Sequence, residues 1–280
     1  MFFSFLCKVI NLISFIMNIL SIILYFKNHY EIEILNILKI ELIIATFLQT
    51  IPLFTFPNEN NTFLKIFQAF YSGSFNLTIS LITTFIAISV CISIFYQDFF
   101  VKNSKLLAII FSFLSWILTI FYSYYLFKVK SVICFRNYFC FYEIKKDLFP
   151  IMIHIILLLL NIISNIIMII AIYKLIQDKE LQKGFIKQVI GFILGSFFFY
   201  GPYCFALIPF FARLENNKQL YSLWNDIRIL FFCMNGIFVS VLYIYSKSSY
   251  LEIWELLTCK KNENVMNTSG SFHLYKLREE

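Results

Sequence analysis

Polar side chains recur at helical spacing inside long apolar segments, and they are the residues of this chain that could do chemistry. Residues three or four positions apart share one face of a helix. Amides and hydroxyls on such faces either join packed helices, at about 0.6 kcal/mol per hydrogen bond, or line a cavity for a small ligand. The three stripes are Asn11, Ser14, Asn18 and Ser21; Ser72, Asn76, Ser80, Thr83 and Ala87; and His154, Asn161 and Asn165. For the cavity alternative, the candidate ligand-binding residues are Asn76, Ser80, His154, Asn161 and Tyr200.

Residue types that catalysis or ion transport would need are sparse. Buried carboxylates and basic residues mark ion and proton pathways, and the middles of the third to sixth apolar segments contain no Asp, Glu, Lys or Arg. Gly73-Ser74 with His154 could suggest a serine hydrolase, but no orienting carboxylate accompanies them. Lys39 and Glu41 lie near one end of the second segment. We expect them to form a pair whose side chains extend to the membrane surface. The three histidines, His29, His154 and His273, are too scattered for a metal centre. We therefore expect no enzyme, no metal and no cofactor.

The elements that position the polar stripes are seven apolar segments, each long enough to cross a bilayer as a helix of about 20 residues. The chain is 60% hydrophobic and 14% charged, against about 25% charged in soluble domains. We predict an all-α polytopic membrane protein: a seven-transmembrane helix bundle, with a short amphipathic eighth helix, over residues 1–258 and a polar tail over 259–280. The first segment exceeds a signal-peptide core and reads as a retained helix. The segments are Phe3–Phe26, Ile34–Phe56, Ile66–Tyr96, Leu106–Phe127, Leu148–Ile176, Val189–Phe211 and Ile227–Tyr245.

The orientation prediction places the amino end outside and the tail in the cytoplasm. Counting Lys and Arg, this assigns twelve residues to the cytoplasmic side and ten to the outer side, with Lys39 left aside; the positive-inside rule therefore favours it slightly. Asn60-Asn61-Thr62 is a glycosylation acceptor pattern that would then face the lumen. Similar triplets at Asn76 and Asn267 show how readily the pattern arises by chance. Although the net charge is +7, the basic residues do not form a stripe interleaved with aromatic residues, so we expect no nucleic-acid partner. The expected partner is the lipid bilayer.

Motifs in several segments resemble those of G-protein-coupled receptors. Met234–Tyr243 reads Met-Asn-Gly-Ile-Phe-Val-Ser-Val-Leu-Tyr and is similar to a Gln-Gly-Phe-x-Val/Asn-Ala-x-x-Tyr stretch in the seventh helix of secretin-like and slime-mould cyclic-AMP-type receptors. Gly236 and Tyr243 are its matching positions. Leu251–Leu257 resembles the amphipathic eighth helix of those receptors, Phe67–Phe70 the opening of their third helix, and Phe199–Pro202 the kink of their sixth.

The chain departs from this pattern at two places. Tyr96-Gln97-Asp98 stands where rhodopsin-like receptors have Asp-Arg-Tyr, and no cysteine opens the third segment. Without that cysteine the usual bond to the second outer loop is impossible, and we predict that Cys134 and Cys140 pair locally in an oxidising outer compartment. Two thiols there, or a bond to Cys7, are the alternatives. Three other cysteines lie within apolar segments and are expected to be packing residues: Cys91, Cys204 and Cys233. Cys259 is a candidate for palmitoylation, or it is a cytoplasmic cysteine without modification.

The resemblance implies a cell-surface receptor that senses a small extracellular ligand and contacts a heterotrimeric G protein. Because the chain begins inside the first segment, a small ligand is expected, or none. Bending at Pro202 and Pro209 would transmit the signal. The alternatives are a nematode-type chemosensory receptor, an unrelated seven-helix scaffold, or a small-solute permease. The lysines expected to contact the G protein are Lys102, Lys105, Lys179, Lys183 and Lys187.

Overall fold

The structure is a computed structural model that describes residues 2–27, 34–54, 61–129, 132–135, 139–142, 148–177 and 218–244. Within these ranges there are six α-helices, a short 3-10 turn and two β-strands. The helix we call α6 corresponds to the seventh predicted segment. The bounds are α1 Phe2–Lys27, α2 Ile34–Thr50, the 3-10 turn Ile51–Phe54, α3 Thr62–Phe95, α4 Gln97–Val129, β1 Val132–Phe135, β2 Phe139–Tyr142, α5 Leu148–Gln177 and α6 Lys218–Ile244.

Four of the described helices are long and apolar enough to cross a membrane. Their qualifying stretches are Phe5–Lys27, Ile34–Phe54, Thr62–Phe95 and Asp98–Lys128. Helices α5 and α6 have 30 and 27 residues, which at about 1.5 Å per residue exceeds the roughly 30 Å of a hydrocarbon core. The chain is therefore a helical membrane protein. The predicted sixth segment, the predicted eighth helix and the tail lie outside the described residues.

Contacts between helices show that α1 and α2 run in opposite directions, as do α3 and α4. Asn11 on α1 bonds to Thr50 on α2, whereas Asn18, further along α1, bonds to the earlier residue Thr46. On α3 and α4, Thr78 contacts Thr119 while Phe85 stacks on Phe111, so that pair is antiparallel as well. The start of α3 and the hairpin of β1 and β2 consequently lie at one end of the bundle, which we call the hairpin end. The turn between α3 and α4 lies at the opposite end, which we call the turn end.

The hairpin at one end of the bundle is a difference from the predicted all-α class. Strands β1 and β2 pair antiparallel, with Cys134 directly opposite Cys140. The strands read Val-Ile-Cys-Phe and Phe-Cys-Phe-Tyr, and such β-branched and aromatic residues favour extended backbone. The structure contains a disulfide between Cys134 and Cys140, which joins the two strands across the pair.

Two helix boundaries differ from the predicted segments for physical reasons. Helix α2 ends at Thr50, and a 3-10 turn follows because Pro52 has no backbone N–H to donate to an α-helix. Helix α4 begins at Gln97, directly after Tyr96, although its apolar run starts only at Leu106. Six of the nine residues from Gln97 to Lys105 are polar, yet all nine lie on the first turns of the helix, so Lys102 and Lys105 belong to α4 and not to a preceding loop.

The apolar core lies between α2, α3 and α4. Leu38, Leu42, Ile82 and Ile86 are fully buried there, and Phe85 stacks on Phe111 beside them at 4.5 Å between ring centroids. Large apolar side chains on α1, α4 and α5 point away from the bundle instead, as expected for surfaces that face lipid chains. The helices therefore bury their polar stripes and expose their apolar faces.

Candidate functional site

The side-chain amide of Asn18 joins three helices in the interior. It lies on the polar face of α1, is 0% exposed, and its Oδ1 accepts hydrogen bonds from Thr46 Oγ1 on α2 at 3.3 Å and Ser240 Oγ on α6 at 3.2 Å. The Thr46 hydroxyl also contacts the Leu42 and Ile43 carbonyls of its own helix. Asn18 therefore links α1, α2 and α6 in one polar cluster.

Helices α1 and α6 approach each other closely at Gly236. A Cβ added there would lie 2.6 Å from Asn18 Nδ2, 2.9 Å from Ser14 Cβ and 3.2 Å from the Ser14 carbonyl oxygen. The Ser14 hydroxyl donates to the backbone carbonyl of Cys233, one turn earlier on α6. Only glycine leaves room for the Asn18 amide at this position. Gly236, which is part of the motif noted in the seventh segment, therefore allows α1 and α6 to pack closely.

A second cluster centres on Gln49, near the end of α2. Its Nε2 donates to Asn76 Oδ1 on α3 at 3.4 Å, and its Oε1 accepts from Asn235 Nδ2 on α6 at 3.3 Å. All three residues are buried. An amide has both donor and acceptor groups, so Gln49 can bridge two other amides at once. Asn76, a predicted ligand-binding residue, is thereby connected to α6 through one side chain.

A third cluster, at the hairpin end, centres on Gln68. This residue is 0% exposed, and it follows the start of α3 by less than two turns. Its Nε2 donates to the Pro52 carbonyl in the 3-10 turn at 3.3 Å, and its Oε1 accepts from the Cys140 backbone N–H at 2.9 Å. Because Phe139 and Cys140 are also buried, β2 packs against the bundle and covers the outer part of α3.

Several buried polar atoms on α1 lack a hydrogen-bond partner among the described residues. They are Asn11 Oδ1, Asn18 Nδ2 and Ser21 Oγ. Buried polar atoms in proteins are generally paired with protein groups or with ordered water. The α1 stripe therefore offers more hydrogen-bonding capacity than the described helices use, and this interior could accept water or a polar ligand.

The predicted stripes are largely buried as expected. The whole α1 stripe and all five members of the α3 stripe, including Ser80, are buried. Among the α5 side chains that the structure describes, Ser164 and Met168 are buried, while Asn165 is only partly buried. His154 and Asn161 belong to α5, which packs against α3, but the structure does not describe their side chains. Tyr200 lies outside the described residues, so the structure brings together only part of the predicted ligand-binding set.

The turn end has basic residues near the ends of α4 and α5. Lys102 and Lys105 are exposed on the first turns of α4. The Lys174 ammonium of α5 lies 4.3 Å from the centre of the Phe95 ring at the end of α3, a cation–π contact that brings these two helix ends together. The other three predicted contact lysines lie outside the described residues: Lys179, Lys183 and Lys187. The same is true of Asn60 and Cys259. Tyr243 belongs to α6, but the structure does not describe its side chain.

Glu41 lies on the face of α2 that contacts α4. Its Oε1 accepts a hydrogen bond from the Ser112 hydroxyl, and its Oε2 has no partner among the described residues. The sequence suggested a side chain reaching toward the membrane surface beside Lys39. The structure instead directs this carboxyl group to a neighbouring helix, where Ser112 contributes one hydrogen bond.

Sequence reasoning missed the α2 and α6 partners of the stripes. Gln49 and Thr50 follow Thr46 by three and four residues. The same periodicity that identified the α1 stripe could therefore have identified them. Gln68 was noted only as part of a motif, and its two backbone partners are distant in sequence. No local pattern predicts such long-range pairs.

Comparison of the chain with protein-family models finds no match, and comparison with curated proteins finds none either. The features of the molecule that bear on its function are the interior polar clusters, the hairpin that covers one end of them, and the basic residues at the other end.

Proposed function

We propose that the protein is a seven-transmembrane receptor that binds a small polar ligand from the hairpin side and signals to a heterotrimeric G protein at the turn end. The main support is the series of buried amides. Gln68 contacts the hairpin, Gln49 joins Asn76 to Asn235, and Asn18 joins Thr46 to Ser240. These clusters follow one another from the hairpin end toward the turn end.

Such clusters can connect a ligand to helix packing because their bonds exchange easily. A polar ligand that bonds to Asn76 competes with Gln49 for the same oxygen, and each such interhelical hydrogen bond contributes only about 0.6 kcal/mol. A Gln49 amide that rotates away from Asn76 would also weaken its bond to Asn235 on α6, because the same amide group makes both bonds. A ligand with a few hydrogen-bonding groups thus has enough differential binding energy to favour another arrangement of α2, α3 and α6.

The ligand would enter beside the hairpin. Because β2 is bonded to Gln68 and its Phe139 is buried, the hairpin covers the outer end of α3. Candidate contacts further inward are Asn76 and Ser80, with His154, Asn161 and Tyr200 as contributions from the fifth and sixth segments. At the turn end, Lys102 and Lys105 are exposed and would contact the G protein with Lys179, Lys183 and Lys187.

The proposal is tested by ligand-free coupling of the full chain against a panel of G proteins in cells. We expect basal activation of at least one G-protein class, because receptors populate their active packing without ligand. Charge reversal at Lys179, Lys183 and Lys187 should abolish this coupling at unchanged surface expression. A matched control reverses Lys65 and Lys128, which lie at the hairpin end and should leave coupling intact. Coupling that persists in the triple variant rejects the docking role, and no coupling to any class counts against the receptor proposal.

A further inference from the structure

Two cysteines from opposite ends of the sequence meet at the packed faces of α1 and α6. Cys7 and Cys233 pack in the same buried cluster, their side chains interact with each other, and both residues are 0% exposed. Both are in the thiol form in this structure. Cys7 also continues the α1 stripe, four residues before Asn11, so it lies on the face that α6 covers.

The surroundings of this pair place it at the hairpin end. Cys7 and Cys233 belong to a buried cluster with Leu53 of the 3-10 turn and Phe139 of β2. Phe139 directly precedes Cys140, which is joined to Cys134 in the hairpin disulfide. The two cysteine pairs are therefore neighbours on the same side of the membrane.

The flanking charges show that the pair is close to the surface of that side. Lys8, next to Cys7, is exposed. Arg228 precedes Cys233 by five residues, which is about 7.5 Å along a helix. Basic side chains near helix ends extend to the membrane interface, so the thiols lie within reach of the aqueous compartment before the bundle closes.

We propose that Cys7 and Cys233 form a second disulfide, which joins α1 covalently to α6. Because the two side chains already pack in one cluster, a small shift would bring the sulfur atoms to the S–S bond length of about 2.05 Å. The hydrogen bond from Ser14 to the Cys233 carbonyl and the absence of a side chain at Gly236 keep the two helices close enough for that approach. The proposal depends on this packing and on an oxidising compartment at the hairpin end, and it is independent of ligand binding and of G-protein coupling.

The bond would form while the helices assemble, because buried thiols in apolar surroundings react slowly. The oxidant is the disulfide of a thiol–disulfide oxidoreductase in the same compartment. One cysteine, as the thiolate, attacks that disulfide and displaces one enzyme thiol, giving a mixed disulfide. The second cysteine then attacks the mixed disulfide. The two cysteines lose two protons and two electrons, and the oxidoreductase is reduced to its dithiol.

The test cuts the full chain between the hairpin and α5. A protease site inserted in residues 143–147 separates Cys7 from Cys233 but leaves Cys134 and Cys140 together on the amino-terminal fragment. After alkylation with N-ethylmaleimide and cleavage, we expect the two fragments to migrate as one species on a denaturing gel without reductant and as two with it. Cys7→Ser and Cys233→Ser should release the fragments without reductant, and the matched control Cys91→Ser should not.

Wild-type fragments that separate without reductant would overturn the proposal, as would fragments that stay joined in Cys7→Ser. If a serine variant fails to express, peptide mapping of the wild-type chain decides the matter. We expect a peptide pair containing Cys7 and Cys233 linked with the loss of two hydrogen atoms. Recovery of both cysteines in alkylated form, with or without an intact Cys134–Cys140 bond, would contradict it.

Discussion

Gly236→Ala is the substitution that most directly probes how α1 and α6 pack. The new Cβ would lie 2.6 Å from Asn18 Nδ2 and 2.9 Å from Ser14 Cβ, which is closer than non-bonded atoms tolerate. The Ser14 carbonyl oxygen at 3.2 Å belongs to the backbone and cannot rotate away. Either Asn18 must change its rotamer or the two helices must separate.

The expected loss of stability follows from three opposing contributions. Overpacking costs about 1–3 kcal/mol, and displacement of Asn18 weakens its bonds to Thr46 and Ser240, each worth about 0.6 kcal/mol. In the opposite direction, alanine stabilises a helix by about 1 kcal/mol relative to glycine. The net loss is about 2 kcal/mol, which corresponds to a melting temperature lower by roughly 4–8 °C on the scale for chains of this size.

Thermal unfolding of the purified chain in lipid nanodiscs, followed by circular dichroism, measures this loss. A double-mutant cycle with Asn18→Ala provides the control. Because Asn18→Ala removes the amide that the new methyl group would meet, Gly236→Ala should cost clearly less in that background. A melting temperature that stays unchanged or rises in Gly236→Ala alone would refute the close approach of α1 and α6.

Three further experiments test the other clusters and the orientation. Gln68→Leu removes the partners of the Cys140 N–H and the Pro52 carbonyl at a cost of about 1–3 kcal/mol; hydrogen exchange of the hairpin amides should accelerate, and unchanged protection would count against the Gln68 contact. Gln49→Leu should cost about 1 kcal/mol, and its combination with Asn235→Leu should cost less than the sum in thermal unfolding, whereas strict additivity would exclude their bond. Asn60→Gln should increase gel mobility after expression in a eukaryotic secretory pathway, because a glycan is lost; equal mobility of both forms would mean that Asn60 is not glycosylated.

The sequence predicts helix positions well where charged residues interrupt an apolar run, as at Lys27 and on both sides of the fifth segment. The first segment was expected at Phe3–Phe26, and α1 covers Phe2–Lys27. The fifth was expected at Leu148–Ile176, and α5 covers Leu148–Gln177. Helix α4 begins nine residues before the predicted Leu106 because polar residues on a first helical turn look the same in sequence as a loop.

The partners of the polar residues could not be predicted in the same way. Periodicity places Asn18 on an inward face, but it contains no information on which helix that face meets. That Asn18 bonds to Thr46 and Ser240 depends on how the helices pack. The space for the Asn18 amide depends on Gly236 of α6, which is more than two hundred residues away in the sequence. The hairpin was hidden for a similar reason, since two strands of four residues are too short for a distinct alternating pattern.

The central claim is that the chain crosses a membrane with the hairpin outside and the turn end in the cytoplasm, because every part of the receptor proposal depends on it. Epitope tags inserted in residues 143–147 and appended after Glu280 test it in one cell population. Antibody should reach the first tag in intact cells and the tail tag only after permeabilisation. A tail tag that antibody reaches in intact cells, or an inserted tag that requires permeabilisation, would contradict the account.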